Sequence, residues 1–106
     1  MSSVVVVGSG AAGLTAAVAA AQAGAGVTVL ERAPLLGGTT ALSGGLAWTP
    51  ANRLMAAEGV DDSPAEARQY LQALRLGDID DELVGYFADH AATTADWLDG
   101  PGHARF

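Results

Sequence analysis

The first third of the chain is apolar throughout but changes character along its length. Four β-branched residues, Val4-Val5-Val6-Val7, run into Gly8-Ser9-Gly10-Ala11-Ala12-Gly13, then an alanine-rich stretch, then Val27-Thr28-Val29-Leu30. A short apolar run bounded by glycine fits a strand buried on both faces, whereas clustered alanine favours helix. The pattern predicts a strand over residues 4–7, a helix over 12–23 stopped by Gly24, and a second strand over 27–30. Pro34 ends that strand and opens a loop, small and glycine-dense, through residue 50. Paired glycines at both ends of the loop suit a backbone lying against something flat or bulky.

The second half is more polar and reads as helices. One is predicted over 51–58, ended by Gly59. Asp61-Asp62-Ser63-Pro64-Ala65-Glu66 starts another, with Ser63 as N-cap, Pro64 in the first helical position and Glu66 completing a capping box. That helix should run to Leu76 with Gly77 as its cap, turning Ala67, Tyr70, Leu71 and Leu74 inward. A last helix begins after Asp80 or Asp81 and carries Leu83, Val84, Phe87, Ala91 and Leu98 inward. Gly100-Pro101-Gly102 breaks the chain, and Ala104-Arg105-Phe106 is suited to starting a strand. No internal repeat is visible.

Composition sharpens this picture. At 106 residues the chain is the size of one small domain, and half of it is hydrophobic. The net charge is −7 and all five basic residues are arginines with no cluster among them. That argues against a nucleic-acid partner and against an anionic membrane surface. Cysteine is absent, so disulfides, thiol nucleophiles and thiolate metal sites are excluded. The absence suits a reducing compartment, and a cytoplasmic location is expected. Residues 4–30 carry no charge, which raises a membrane-spanning alternative. Glycines at 8, 10, 13, 24 and 26 interrupt the segment and no basic residue precedes it, so a buried parallel-sheet unit explains it better.

The chemistry lies at the first turn. A G-x-G-x-x-G triplet is weak evidence alone, but here a β-branched run precedes it and a helix follows it. Glu31 then closes the second strand, 18 positions after Gly13, close to the usual spacing of about 20. This is the signature of a dinucleotide-binding βαβ unit. Gly8 takes the tight turn, Gly10 lets backbone approach a pyrophosphate, and Gly13 lets the helix pack on the sheet. Free N–H groups around Gly10, Ala11 and Ala12 are to face phosphate at the helix N-terminus. Glu31 is placed to accept from a ribose diol and would repel a 2′-phosphate, which disfavours NADP. No metal site is expected, and His90 and His103 read as surface or loop residues. Tyr70 and Tyr86 read as packing residues, and Trp48 and Trp97 as side chains buried against neighbouring helices.

The fold class is therefore α/β: a Rossmann-like βαβ unit followed by short helices, with an incomplete parallel sheet. Parallel sheets are normally buried on both faces, and two strands do not make one. The strands should thus keep a face or an edge uncovered. The chain reads as the N-terminal piece of a larger enzyme or as a truncated open reading frame.

The fingerprint, the Glu31-Arg32 pair, the loop Gly37-Gly38-Thr39-Thr40-Ala41-Leu42-Ser43-Gly44-Gly45 and Trp48-Thr49-Pro50-Ala51-Asn52 resemble FAD-dependent oxidoreductases. The group is the succinate dehydrogenase/fumarate reductase flavoprotein superfamily, within it the 3-ketosteroid Δ1-dehydrogenase-like branch. The likeness is tight over residues 4–52 and looser beyond. It implies the N-terminal part of a FAD-binding domain: a βαβ unit over 1–32, a flavin loop over 33–50 and a helical segment over 51–106. By that resemblance Gly8, Ser9, Gly10, Ala11, Ala12 and Gly13 hold the FAD pyrophosphate, Glu31 the adenosine ribose, and Arg32 lies beside the adenine. Gly37, Gly38, Thr39 and Thr40 pass along the phosphate and ribityl portion. Ala41, Ser43, Gly44 and Gly45 approach the isoalloxazine, where backbone N–H groups stabilise charge on the reduced flavin. Respiratory members attach flavin to a histidine where this chain has Gly38, so the resemblance implies noncovalent FAD. Catalytic tyrosines and a substrate domain are to lie beyond Phe106, and no catalytic residue is assigned within the chain. The implied activity is hydride transfer between flavin and a carbon–carbon bond beside a carbonyl, on a steroid or other apolar ketone. An NAD-binding module and a non-catalytic fragment are the alternatives, and the glycine-threonine-serine loop weighs against the first.

Overall fold

The structure, a computed structural model, describes residues 1–74 and 79–100. It divides into two compact units, Met1–Ala47 and Trp48–Phe106.

In the first unit, strand β1 (Ser3–Val7) leads into helix α1 (Ala11–Gln22) and strand β2 (Gly26–Leu30). The strands pair in parallel, Val4 opposite Val27 and Val6 opposite Val29. These four valines are half-buried on the face that α1 covers, where Ala17 is the helix's buried residue. Because side chains alternate along a strand, Val5, Val7 and Leu30 fall on the other face, and they are 61%, 83% and 52% exposed. The uncovered face expected of a two-stranded parallel sheet is therefore present.

Two glycines set the geometry of this crossover. Gly8 has φ +96°, which turns the chain out of β1, and its amide bonds the Leu30 carbonyl at 2.8 Å. Gly24, at φ +85°, ends α1: Gly24 N–H bonds Ala21 O and Ala25 N–H bonds Ala20 O, satisfying the carbonyls a helix end leaves free. After β2 the only regular turn of the loop is a 3₁₀ segment, Gly38–Leu42.

The second unit holds α2 (Arg53–Ala57), α3 (Pro64–Leu74) and α4 (Asp81–Leu98). Helix α2 starts two residues later than expected. Ala51 sits in the left-handed region at φ +54°, a conformation costing a non-glycine residue roughly 1–2 kcal/mol. It is held there beside the fully buried Pro50 by a 2.8 Å bond from its amide to Asp62 Oδ2. Asn52 then caps α2, its Oδ1 accepting from the Leu54 and Met55 amides. The α3 start also differs in detail. Ser63 Oγ accepts from the Glu66 amide and donates to the Glu66 carboxylate, while the Ser63 amide is satisfied by Asp62 Oδ1 at 2.8 Å. Glu66 thus closes a box through the hydroxyl rather than through the backbone. Asp80 caps α4 by accepting from the Glu82 amide.

Helices α3 and α4 are in contact, and their buried residues are small: Ala67 on α3, and Gly85, Ala88 and Ala91 on α4, with Val84 also buried. A Cβ at Gly85 would reach 3.2 Å from the Arg68 guanidinium, whose Nη2 donates to both carboxylate oxygens of Asp89. Several residues expected inward lie outside: Leu83, Leu74, Tyr70 and Tyr86 are 64%, 56%, 54% and 65% exposed. With alanine and glycine at the contact, the helices approach too closely for the larger side chains to enter. Phe87 is at the edge of the same surface, and Leu71 and Leu98 are half-buried. Trp48, expected buried, is half exposed. It stacks on Phe87 at 5.8 Å between ring centroids, tilts against Tyr70 at 5.7 Å, and lines a groove of about 370 Å³. Trp97 is half-buried on α4. His90 is on the surface, as expected, against the Tyr86 ring. The predicted helix end at Leu76 and Gly77, and the expectations for Pro101, Gly102, His103 and Ala104-Arg105-Phe106, lie outside the described residues. Among the described residues no helix is long and apolar enough to cross a membrane.

Candidate functional site

The site belongs to the first unit and is built where β1 ends and α1 begins. Gly10 is the N-cap of α1, in extended backbone with no side chain to cap it. The Ala11 amide donates to Thr40 Oγ1 at 3.1 Å, so it is not free, as the turn alone suggests. The Ala12 amide has no such partner. A hydroxyl is a small and rotatable plug, which can release the amide or turn its own proton outward.

Loop residues 37–40 fold onto this mouth. Gly38, at φ +55°, lies so close that a Cβ there would be 3.6 Å from Gly10 Cα. Gly37, at φ +109°, donates its amide to Ser9 Oγ at 2.9 Å. Any side chain at Gly38 would need a strained backbone. Ser43 Oγ donates to the Thr40 carbonyl at 2.8 Å and accepts from the Gly45 amide, which fixes the outer part of the loop on itself. Thr39, Ala41, Gly44, Gly45 and Arg32 are exposed, and a Cβ at Gly44 or Gly45 would meet nothing. The structure therefore brings Gly8–Gly13, Glu31 and Gly37–Thr40 together, and leaves Arg32 and residues 43–45 outside that cluster.

Glu31 ends β2 facing the turn. Its Oε2 accepts from the Ser9 amide at 3.0 Å and the Ser9 hydroxyl at 2.5 Å, and its Oε1 accepts from the Ala33 amide at 2.8 Å. The Ala33 N–H first, then the Ser9 hydroxyl and the Ser9 N–H, lower its pKa from 4.5 to about 2. A carboxylate whose folded pKa is depressed stabilises the fold above its unfolded pKa and loses that contribution as pH falls through the folded value. The first unit should therefore be equally stable at about pH 6 and 5, and weaken progressively below about pH 4.5. Denaturant titration followed by circular dichroism checks this, and Glu31→Gln should flatten the profile. Sequence reasoning placed Ser9 with the phosphate-holding residues and missed its bond to Glu31. A lone hydroxyl in a turn otherwise made of glycine and alanine was the available signal.

The mouth fits a dinucleotide on two counts. A Cβ added at Gly10 would point into open space with Thr40 Oγ1 the nearest atom, at 3.8 Å, so the absent side chain leaves a cradle. The donors around it are amides and a hydroxyl at a helix N-terminus, the chemistry that phosphate oxygens require.

Comparison with known proteins agrees. Residues 3–106 match the FAD binding domain family. The chain is 41% identical to a 3-oxosteroid 1-dehydrogenase of Mycolicibacterium smegmatis, over 97% of this chain and 20% of that protein. It is 49% identical to a 4-oxocyclohexanecarboxylate 2-dehydrogenase of Sinomonas cyclohexanicum, over 76% of this chain and 14% of that protein. The crystal structure of a 3-ketosteroid-Δ4-(5α)-dehydrogenase from Rhodococcus jostii in complex with 4-androstene-3,17-dione superimposes with a TM-score of 0.82. Its sequence identity is 37%, covering 92% of this chain and 21% of that one. The chain thus spans about a fifth or less of the length of these relatives. The helix-mouth geometry and the match over nearly every residue lead to one assignment: the chain belongs to the FAD binding domain family, and its cofactor is FAD.

Proposed function

We propose that this chain is the FAD-holding part of a flavin-dependent dehydrogenase acting on a carbon–carbon bond beside a ring ketone. The observation that carries the reading is the convergence of the glycine turn, Glu31 and loop residues Gly37–Thr40 on one open helix N-terminus. An oxo group on a ring recurs in the names of several relatives, and supports an apolar cyclic ketone such as a steroid as the substrate class.

In this reading the amides of Gly10, Ala11 and Ala12 bind the pyrophosphate, with Gly8 and Gly13 shaping the turn. Thr40 turns its hydroxyl proton from solvent toward a phosphate oxygen and frees the Ala11 amide to donate to the same group. Glu31 holds the ribose, and Arg32 lies over the adenine. Gly37, Gly38 and Thr39 line the phosphate and ribityl path. Ala41, Ser43, Gly44 and Gly45 line the ring system, although the amides of Ala41, Ser43 and Gly45 donate within the loop, to Gly37 O, Thr40 O and Ser43 Oγ. When bound, the cofactor supplies the two-electron acceptor for the dehydrogenation. With glycine at position 38 no side chain is available for attachment there, which supports noncovalent binding. Catalytic residues and a substrate domain fall in the remainder of a longer protein, and a cytoplasmic location fits the cysteine-free sequence.

Titrating the purified chain with FAD tests the reading through the flavin band at about 450 nm. Saturable binding is expected, with NAD unable to compete. Glu31→Ala should weaken FAD by roughly ten- to a hundredfold, through loss of a charged acceptor for the ribose. Absence of saturation, or tighter binding of NAD, defeats the proposal.

A further inference from the structure

Resting on that reading of the site, we propose that Ser9 is a positioning residue. It fixes the plane of the Glu31 carboxylate, the acceptor that this reading gives to the ribose. The residue is fully buried, and both of its donors end on the same oxygen of Glu31. Its hydroxyl oxygen is occupied by the Gly37 amide, so the hydroxyl proton is directed to Glu31. Ser9 therefore has no donor left for a phosphate.

An ionised carboxylate offers about four acceptor positions. Two on Oε2 are taken by Ser9 and one on Oε1 by Ala33, and the Arg32 amide also lies against the carboxylate. The chain Gly37 N–H to Ser9 O–H to Glu31 also ties the first residue of the loop to the end of β2. Hydrogen bonds in series strengthen one another, so the hydroxyl steadies the ribose acceptor and the loop anchor together.

The surroundings make this testable by pH. Residues 1–47 contain one acid, Glu31, and two other charged groups, the Arg32 side chain and the terminal amine. No other titratable side chain on β1, α1, β2 or the loop faces the carboxylate.

Carbon-13 NMR of the glutamate carboxyl in the ligand-free chain reads the clamp directly. In Ser9→Ala the Glu31 pKa should rise from about 2 toward 4.5. FAD affinity at about pH 7 should fall roughly tenfold in Ser9→Ala and in Glu31→Gln. The double variant should be no weaker than Glu31→Gln, because Ser9 acts through that carboxylate. Between about pH 6 and 4 wild-type affinity should stay flat while that of Ser9→Ala falls. An unmoved carboxyl pKa, or costs that add in the double variant, overturns the inference. Should Ser9→Ala prove unfolded, folded Glu31→Gln still decides, since undiminished FAD affinity in it removes the acceptor that Ser9 is held to position. Absence of FAD binding by wild type overturns the reading of the site, and the NMR titration then judges the clamp alone.

Discussion

Gly13→Ala is expected to unfold the first unit. A Cβ at position 13 would lie inside the van der Waals shell of the Gly8 carbonyl oxygen, 3.0 Å from its carbon and 3.4 Å from Val6 Cγ1. Two of those atoms are backbone in the turn that leaves β1, so no side-chain rotation relieves the clash. Helix α1 must then lift off the strands, uncovering Val4, Val6, Val27 and Val29. Overpacking a core by a methyl group costs about 1–3 kcal/mol where neighbours yield, and the rigid turn puts this case at or above the upper end. Small domains hold only about 5–15 kcal/mol in total, and a two-stranded unit lies low in that range. Loss of the cooperative melt by circular dichroism, together with loss of FAD binding, is the expected result. A melting curve like that of wild type would show that α1 has room to shift, and would remove the close-packing role from Gly13.

Much of this unit was legible in the sequence because its signals are local. Glycine was needed at 8 for a positive φ, at 13 for a helix against a backbone, and at 24 for a helix end, and each requirement follows from backbone sterics alone. Strand and helix limits came out within a residue of the observed ones, since Gly8 and Gly24 mark the turns and no charge lies between residues 4 and 30. The bare face carrying Val5, Val7 and Leu30 followed from counting strands. What stayed hidden depends on long-range partners. Thr40 comes 29 residues along the chain to take the Ala11 amide, and Ser9 meets Glu31 across the crossover. Neither spacing is a motif.

The helical unit was less legible, for a related reason. Apolar spacing marked Tyr70, Leu74, Leu83 and Phe87 as core. Burial is instead decided by the alanines and Gly85, which bring α3 and α4 together and shut larger side chains out. Periodicity sees hydrophobicity and not contact distance. At Ala51 the helix pattern was broken by Asp62, eleven residues away, which holds a left-handed turn that alanine alone would avoid.

Gly10→Val separates binding from folding, and so complements Gly13→Ala. Position 10 has φ −71° and ψ −179°, extended backbone that valine adopts readily. Its added β-carbon meets nothing closer than Thr40 Oγ1 at 3.8 Å, so the ligand-free fold accommodates the branch point. Valine is a poorer N-cap than glycine, but Gly10 contributes no side-chain cap to lose, and the cost should stay near 1 kcal/mol. The methyl groups instead fill the space before the helix mouth, where the phosphates of FAD are to approach the amides. A ligand excluded from that cradle loses close backbone donors and must also rearrange around a bulky side chain. Affinity should fall by at least about a hundredfold, some 3 kcal/mol. The measurement pairs a thermal melt without ligand against an FAD titration, and the expected result is a near-normal melt with no flavin band. Gly10→Val protein that still purified yellow would place the phosphates elsewhere, because no side chain at this position could share the mouth with them.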